Sequence, residues 1–326
     1  MYIDDLKFSL WADFIERDYL DNEFKKLIAD GIINGATSNP AIFKNAILHS
    51  DAYIKQLQTL EDKIPKEKYE AVAIYDIQKA ADILQPLYDK GDDGYVSIEV
   101  DPSLCDDAYA TIEEGKRLHK AINRNNVMIK VPATQAGYEA MEALVSNGIA
   151  VNATLVFKKE QAVACAKAFQ RGIEAYEKKV DTVISIFVSR VDRALDAQLQ
   201  EHNIQTALTG IYNSSVIYST IEAMQVEGCR TLFASTGVKD DTLPAHYYIE
   251  KLLAFNSINT APVSTIEAFH KNGLHRKALP IADDVITLHM KKIKEVGIDM
   301  DEVLDKLIIE GLEAFKEAFK EILERL

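Results

Sequence analysis

Cysteine is scarce and scattered in this chain. Cys105, Cys165 and Cys229 are the three present among 326 residues, and none forms a CxxC pair. An odd, dispersed set provides neither a disulfide framework nor a thiolate metal site. The seven histidines show no HxxxH or HExxH spacing, so no metal centre is expected from them. Glycine-rich phosphate turns are missing as well, since neither GxGxxG nor a P-loop occurs. No uninterrupted apolar run approaches membrane-spanning length. The opening MYIDDLKFSL carries two Asp and lacks a basic segment before an apolar one, which is not the pattern of a signal peptide. The cytoplasm is the expected address. Basic residues are in deficit: 37 Lys and Arg stand against 51 Asp and Glu, a formal charge of −14. That balance argues against nucleic acid or an anionic membrane as the main partner, and an anionic ligand would need a local basic site. No Pro/Gly/Ser linker, charge block, low-complexity tract or long repeat divides the chain, so one domain over residues 1–326 is expected.

What is present is an ordinary globular composition, 48% hydrophobic and 27% charged, enough for a full-sized core. Short apolar runs alternate with amphipathic stretches from end to end. The runs are KFSLWA, INGATSN, YVSIEV, VMIKV, IAVNATLVF, TVISIFV, RTLFAST and SINTAPV. Most are rich in Val, Ile, Thr and aromatics and too short for helices. Between them, sets such as Tyr109, Ile112, Leu118 and Ile122, or Val163, Ala166, Phe169, Ile173 and Tyr176, recur at helical spacing. Gly31, Gly148 and Gly228 stand where helices should stop before the next strand. Eight strand-like runs, each followed by a helix, predict a single α/β domain of the (β/α)8 TIM barrel type. A doubly wound sheet is the competing architecture, and its usual glycine-rich turn is missing.

A barrel predicts chemistry at the C-terminal ends of its strands. Lys130 sits inside VMIKVPAT, and a lysine in a buried strand is a costly packing choice. Desolvation disfavours an ammonium, and the neutral amine is the form that attacks a carbonyl. The alternative is a lysine whose stem crosses the core and whose head reaches solvent. Asp13 follows the first run, Asn39 ends the second before Pro40, and Glu99 lies between Ile98 and Val100 in the third. Asn152 and Thr154 share one face of the fifth. Each alone reads as a helix cap or a hydrogen-bonded core group. Five successive strands each ending in a polar residue read as a site.

GATSNPAIF and VMIKVPATQAG resemble the two signature segments of the transaldolase family in composition, order and separation. The similarity extends through LWADFIERD, VSIEVDP, VNATLVF, VISIFVSRVD and ASTGVKD, nearly the whole chain. The resemblance implies a (β/α)8 barrel with a C-terminal helix across its mouth and no metal or organic cofactor. It implies a Schiff-base enzyme of the pentose phosphate pathway that moves a dihydroxyacetone unit between sugar phosphates. The donor would be sedoheptulose 7-phosphate and the acceptor glyceraldehyde 3-phosphate, with erythrose 4-phosphate and fructose 6-phosphate as products. Carried over by residue, Lys130 matches the Schiff-base lysine, Glu99 the proton shuttle and Asp13 the acid/base at the carbon–carbon step. Asn39 and Asn152 match amides that hold dihydroxyacetone hydroxyls, and Thr154 the hydroxyl that positions a water. Ser185 and Phe187 match site-lining residues, and Arg190 and Ser235 phosphate ligands. The partners implied are small sugar phosphates, without nucleic acid or membrane, in a monomer or homodimer.

Two departures stand out. The best-known branch has an arginine two positions after the residue matching Ser235, where this chain has Gly237. Arg190, Ser235, Lys239 and backbone N–H groups are therefore expected to share the phosphate. Ile186 replaces a frequent proline. Two other readings remain: a fructose 6-phosphate aldolase, and a non-catalytic sugar-phosphate-binding protein. The shorter aldolase relatives carry a tyrosine at the place of Phe187, so Phe187 and the chain length favour transfer. Trp11 is expected to pack inside or beneath the barrel mouth, and residues 66–90 to form a helical insertion. The stripe Val303, Leu307, Phe315, Phe319, Ile322 and Leu326 predicts a core-facing C-terminal helix. His270 and His275 read as surface or capping residues.

Overall fold

A computed structural model describes residues 1–239 and 242–326 of the chain. Eight parallel strands close on one another in sequence order. They are β1 (Ser9–Ala12), β2 (Gly35–Thr37), β3 (Val96–Glu99), β4 (Val127–Pro132), β5 (Val151–Val156), β6 (Thr182–Phe187), β7 (Cys229–Ala234) and β8 (Ser257–Ala261). Each coincides with one of the eight apolar runs, β4 and β7 overrunning theirs by one residue, Pro132 and Cys229. Their residues are buried on both faces, apart from the half-buried Arg230. Parallel barrel strands are covered by helices outside and filled by side chains inside, which is why the runs are nearly continuous rather than alternating. Helices such as Ala108–Ile122, Gln135–Val145 and Lys159–Tyr176 form the outer layer. The turn before β5 uses Gly148 at φ +74°, where a Cβ would fall 2.5 Å from the Tyr176 ring. That position demands glycine twice, for its backbone angle and for its space.

Strand register gathers the polar residues. Glu99 lies opposite Lys130, Lys130 opposite Asn152, and Pro132 opposite Thr154. Between β5 and β6 the register shifts after Ala153, and Leu155 adopts φ +58°. A left-handed β-branch-free residue at a bulge still carries strain of about 1–3 kcal/mol, a feature that clusters at functional sites.

Two additions cover the barrel. The insertion forms the helix Pro65–Tyr88. The C-terminal helix, Met300–Arg325, buries Leu307, Phe315, Phe319 and Ile322, while Val303 and Leu326 stay half-buried. It packs against the helix Pro40–His49 and crosses the mouth close to the bulge. A Cβ on Gly311 would meet Leu155 Cδ2 at 2.8 Å, so glycine permits that approach. Ion pairs from Lys158 to Asp305 (2.7 Å) and from Lys44 to Glu321 (2.9 Å) tie the helix to the rim.

Trp11 lies inside the barrel, 1% exposed, with its indole N–H donating to Asp93 Oδ2 at 2.9 Å. His270 and His275 both meet the Tyr2 hydroxyl at the surface. Among the described residues no helix is long and apolar enough to cross a membrane.

Candidate active site

At the C-terminal ends of the strands lies a cavity of about 560 Å3. Asp13, Asn39, Lys130, Thr154 and Ser185 line its inner part, with Phe187, Arg190, Ser235 and Lys239 toward the rim. Glu99 and Asn152 do not line it and are placed beside the lining residues by their strands. The C-terminal helix contributes Leu307, Glu310, Ala314 and Phe315 as a wall.

Lys130, 5% exposed, donates from Nζ to the Ser38 carbonyl at 3.1 Å and stands 5.7 Å from the centroid of the Phe315 ring. Glu99 Oε2 is 3.5 Å away, an ion-pair distance, yet among the described residues neither Glu99 oxygen has a hydrogen-bond partner. Behind the lysine, Glu99 is enclosed by Tyr69, Ile98 and Phe319. Burial pushes its pKa up to about 7, against the pull of Lys130, while Asp13 adds to the rise. A carboxyl with that value holds and releases protons near neutrality. Thr154 Oγ1 is likewise buried and unpartnered. Unmet polar atoms are costly in a core, so two beside one buried lysine mark a site built for something other than stability.

Asp13 continues β1, its N–H donating to the Ala261 carbonyl at 2.8 Å. Its carboxylate accepts from Thr37 Oγ1 at 2.7 Å, and Thr37 in turn lies 2.6 Å from the Thr260 hydroxyl. Burial raises its pKa, opposed first by Lys130 and then by the Thr37 hydrogen bond. Asn39 caps the helix Pro40–His49 by accepting the Ile42 N–H at 3.0 Å on Oδ1. Pro40 at the first helical position and an N-cap amide are the local reason the chain turns here. The cap fixes the Asn39 side chain at the cavity wall, and among the described residues its amide nitrogen has no partner. Asn152 is fully buried, donating to Ser97 Oγ at 3.1 Å and accepting from Ser185 Oγ at 2.7 Å.

The outer end is cationic. Arg190 begins the helix Ser189–Glu201 and lies 5.1 Å from the centroid of the Phe187 ring. Burial lowers its pKa, and the neighbouring Arg193 lowers it further. Arg193 lines the same cavity. Ser235 follows β7 at φ +54°, with its hydroxyl 3.1 Å from that of Ser189. Lys239 is exposed but reaches the lining.

A buried lysine, two carboxyls of raised pKa and a cationic end together suit imine chemistry on an anionic carbonyl compound. Comparison with known proteins agrees. The family pattern described as Transaldolase/Fructose-6-phosphate aldolase matches residues 10–326. The chain belongs to this family. A protein of Campylobacter jejuni named Transaldolase is 46% identical over 330 residues, spanning 98% of this chain and 99% of that protein. One of Helicobacter pylori, also named Transaldolase, is 45% identical over 318 residues, spanning 97% and 98%. The transaldolase family member described here is thus an enzyme with transaldolase function.

Sequence reasoning overlooked several groups in the cavity of this transaldolase family member. Thr37, two residues before Asn39, shares its strand face and orients Asp13, so the period of two could have found it. Ser97 stands in the same relation to Glu99 and holds Asn152. Arg193 follows Arg190 by three residues, adjacent on a helix face. Phe315 and Glu310 had no local signal, because only the crossing of the C-terminal helix brings them to the cavity.

Proposed function

We propose that this enzyme transfers dihydroxyacetone from sedoheptulose 7-phosphate to glyceraldehyde 3-phosphate, yielding erythrose 4-phosphate and fructose 6-phosphate. The observation that carries this reading is Lys130 Nζ at the head of the cavity, 3.5 Å from Glu99, a carboxyl whose pKa burial pushes up to about 7. Lys130 Nζ loses a proton as it adds to the ketose C2 carbonyl, and the carbinolamine hydroxyl leaves as water once protonated. Glu99 supplies and recovers those protons through a water that Thr154 Oγ1 would hold, satisfying both unpartnered groups. The resulting iminium withdraws the electron pair of the C3–C4 bond. Asp13 takes the C4 hydroxyl proton as that bond breaks, the aldose leaves, and an enamine remains on Lys130. The enamine carbon attacks the acceptor aldehyde, Asp13 returns its proton to the new alkoxide, and water hydrolyses the imine.

In this reading Asn39 and Asn152 hold the hydroxyls of the dihydroxyacetone unit as neutral amides, which do not quench the cation. Ser185 keeps Asn152 oriented, and Phe187 gives the enamine an apolar face. Arg190, Ser235 and Lys239 take the phosphate. Such an active site needs no organic cofactor or metal. The −14 charge fits small-molecule partners rather than nucleic acid. A single-domain cytoplasmic monomer or homodimer is the form proposed.

Borohydride reduction in the presence of fructose 6-phosphate tests the assignment. The adduct should map to Lys130 by mass spectrometry, and Lys130→Ala should lose trapping and turnover while keeping its circular dichroism. Lys130→Arg should be equally inactive, since a guanidinium stays protonated. An adduct on another lysine overturns the reading.

A further inference from the structure

Arg190 and Arg193 differ from most arginines of the chain. Arg17, Arg117, Arg124, Arg171 and Arg230 each meet a carboxylate at 2.5–2.9 Å. Neither Arg190 nor Arg193 has such a partner among the described residues, although both line the cavity. They occupy the first turn and a half of the helix Ser189–Glu201, three residues apart on one side. Asp192, lying between them in sequence, does not neutralise them. Its carboxylate turns away, accepting from the Gly210 N–H at 2.7 Å and the Tyr248 hydroxyl at 2.8 Å. Arg193 stands close enough to lower the pKa of Arg190, and two such guanidinium groups stay without a carboxylate in an acidic protein only at some cost. A dianion between them reverses that cost.

The neighbouring loop after β7, joined to this helix through Ser189 and Ser235, carries no guanidinium. Gly237 is buried, and a Cβ there would lie 3.1 Å from Pro262 Cγ and 3.4 Å from Pro262 Cδ. A side chain at 237 would have to push into the end of β8, so the loop after β7 offers backbone but no cation at that point. We infer that Arg193 supplies the second guanidinium of the phosphate subsite, beside Arg190 and alongside Lys239. This rests on the proposed reading of the cavity as a sugar-phosphate site. Arg193 is exposed enough to meet the phosphate at entry, whereas Arg190 is the deeper anchor.

Steady-state kinetics with fructose 6-phosphate and titration with inorganic phosphate test the inference. Arg193→Ala should raise KM and weaken inorganic phosphate binding roughly 10–100-fold, as expected for one charge-assisted hydrogen-bonding group. Its kcat, and borohydride trapping of unphosphorylated dihydroxyacetone, should remain close to wild type. Arg193→Lys should recover part of the loss, because charge survives and the planar fork does not. Arg276→Ala, at an exposed arginine outside the cavity lining, serves as control for overall charge. Unchanged KM and phosphate affinity in Arg193→Ala, or an equal change in Arg276→Ala, overturns the assignment. If wild type traps no dihydroxyacetone, the imine reading fails, while phosphate titration still decides the role of Arg193.

Discussion

At the N-terminal end of the barrel, Arg230 enters from β7 and meets Asp93 at 2.5 Å, with further bonds to the carbonyls of Lys7 and Ser257. Asp93 also accepts from the Trp11 indole, so the charges there are matched and hydrogen-bonded. At the C-terminal end the Glu99 side chain, 3% exposed against 6% for Asp93, has no hydrogen bond to either oxygen among the described residues, and Arg190 meets no carboxylate among them. The same eight strands therefore close one end with paired charges and hold unmet ones at the other. The floor spends its polar groups on stability, and the mouth keeps them for a substrate.

Three substitutions sharpen or break that contrast. The largest expected effect is on catalysis at the mouth. Glu99→Gln keeps the shape and removes the proton shuttle, so turnover should fall about 10²–10⁴-fold. The fold should respond in the opposite sense. With its pKa raised from 4.5 to about 7, native Glu99 retains a proton that the unfolded chain has released. Stability from this group is thus full at acid pH and lost as pH rises through that window, because burial and the neighbouring Asp13 penalise the carboxylate more than Lys130 and Arg190 favour it. Glu99→Gln should therefore melt higher than wild type at about pH 8 and alike at about pH 4. A lower melting point at the higher pH would show that Glu99 is held for stability after all.

At the floor, Arg230→Ala strands the Asp93 carboxylate and should cost about 3–5 kcal/mol of unfolding free energy. Denaturant melts measure that loss, and kcat of the folded fraction should stay near wild type. A large fall in kcat with intact stability would erase the division between the two ends. The smallest effect concerns product partition. Phe187 packs against Phe157 at 5.4 Å between ring centroids and faces the cavity without a proton to give. Phe187→Tyr adds a donor beside the enamine, so more free dihydroxyacetone should appear relative to transferred product. Both products are measured in one reaction. An unchanged ratio removes the apolar-shield account and leaves the imine chemistry standing.

Much of the mouth was legible because strands write their facing residues at a period of two. Asn152 and Thr154 could be read as neighbours on one face, and Lys130 as anomalous in an apolar run. Arg190 needed the family resemblance, since an arginine at a helix start carries no distinctive local pattern. The paired floor was not legible. Arg230 and Asp93 are 137 residues apart, and nothing in their local sequence marks one for the other.

Local pattern alone determined the eight strands, their order and the C-terminal helix, because burial on both faces and helical spacing are local properties of the chain. Tertiary structure decided which polar groups meet. Strand register set Glu99 against Lys130. The bulge at Leu155 and the glycine at 311 decided how closely the C-terminal helix covers the mouth. The closeness of Pro262 to position 237 decided how little room a side chain would have there. Such outcomes depend on distances between segments far apart in the chain, and those are fixed only when the barrel closes.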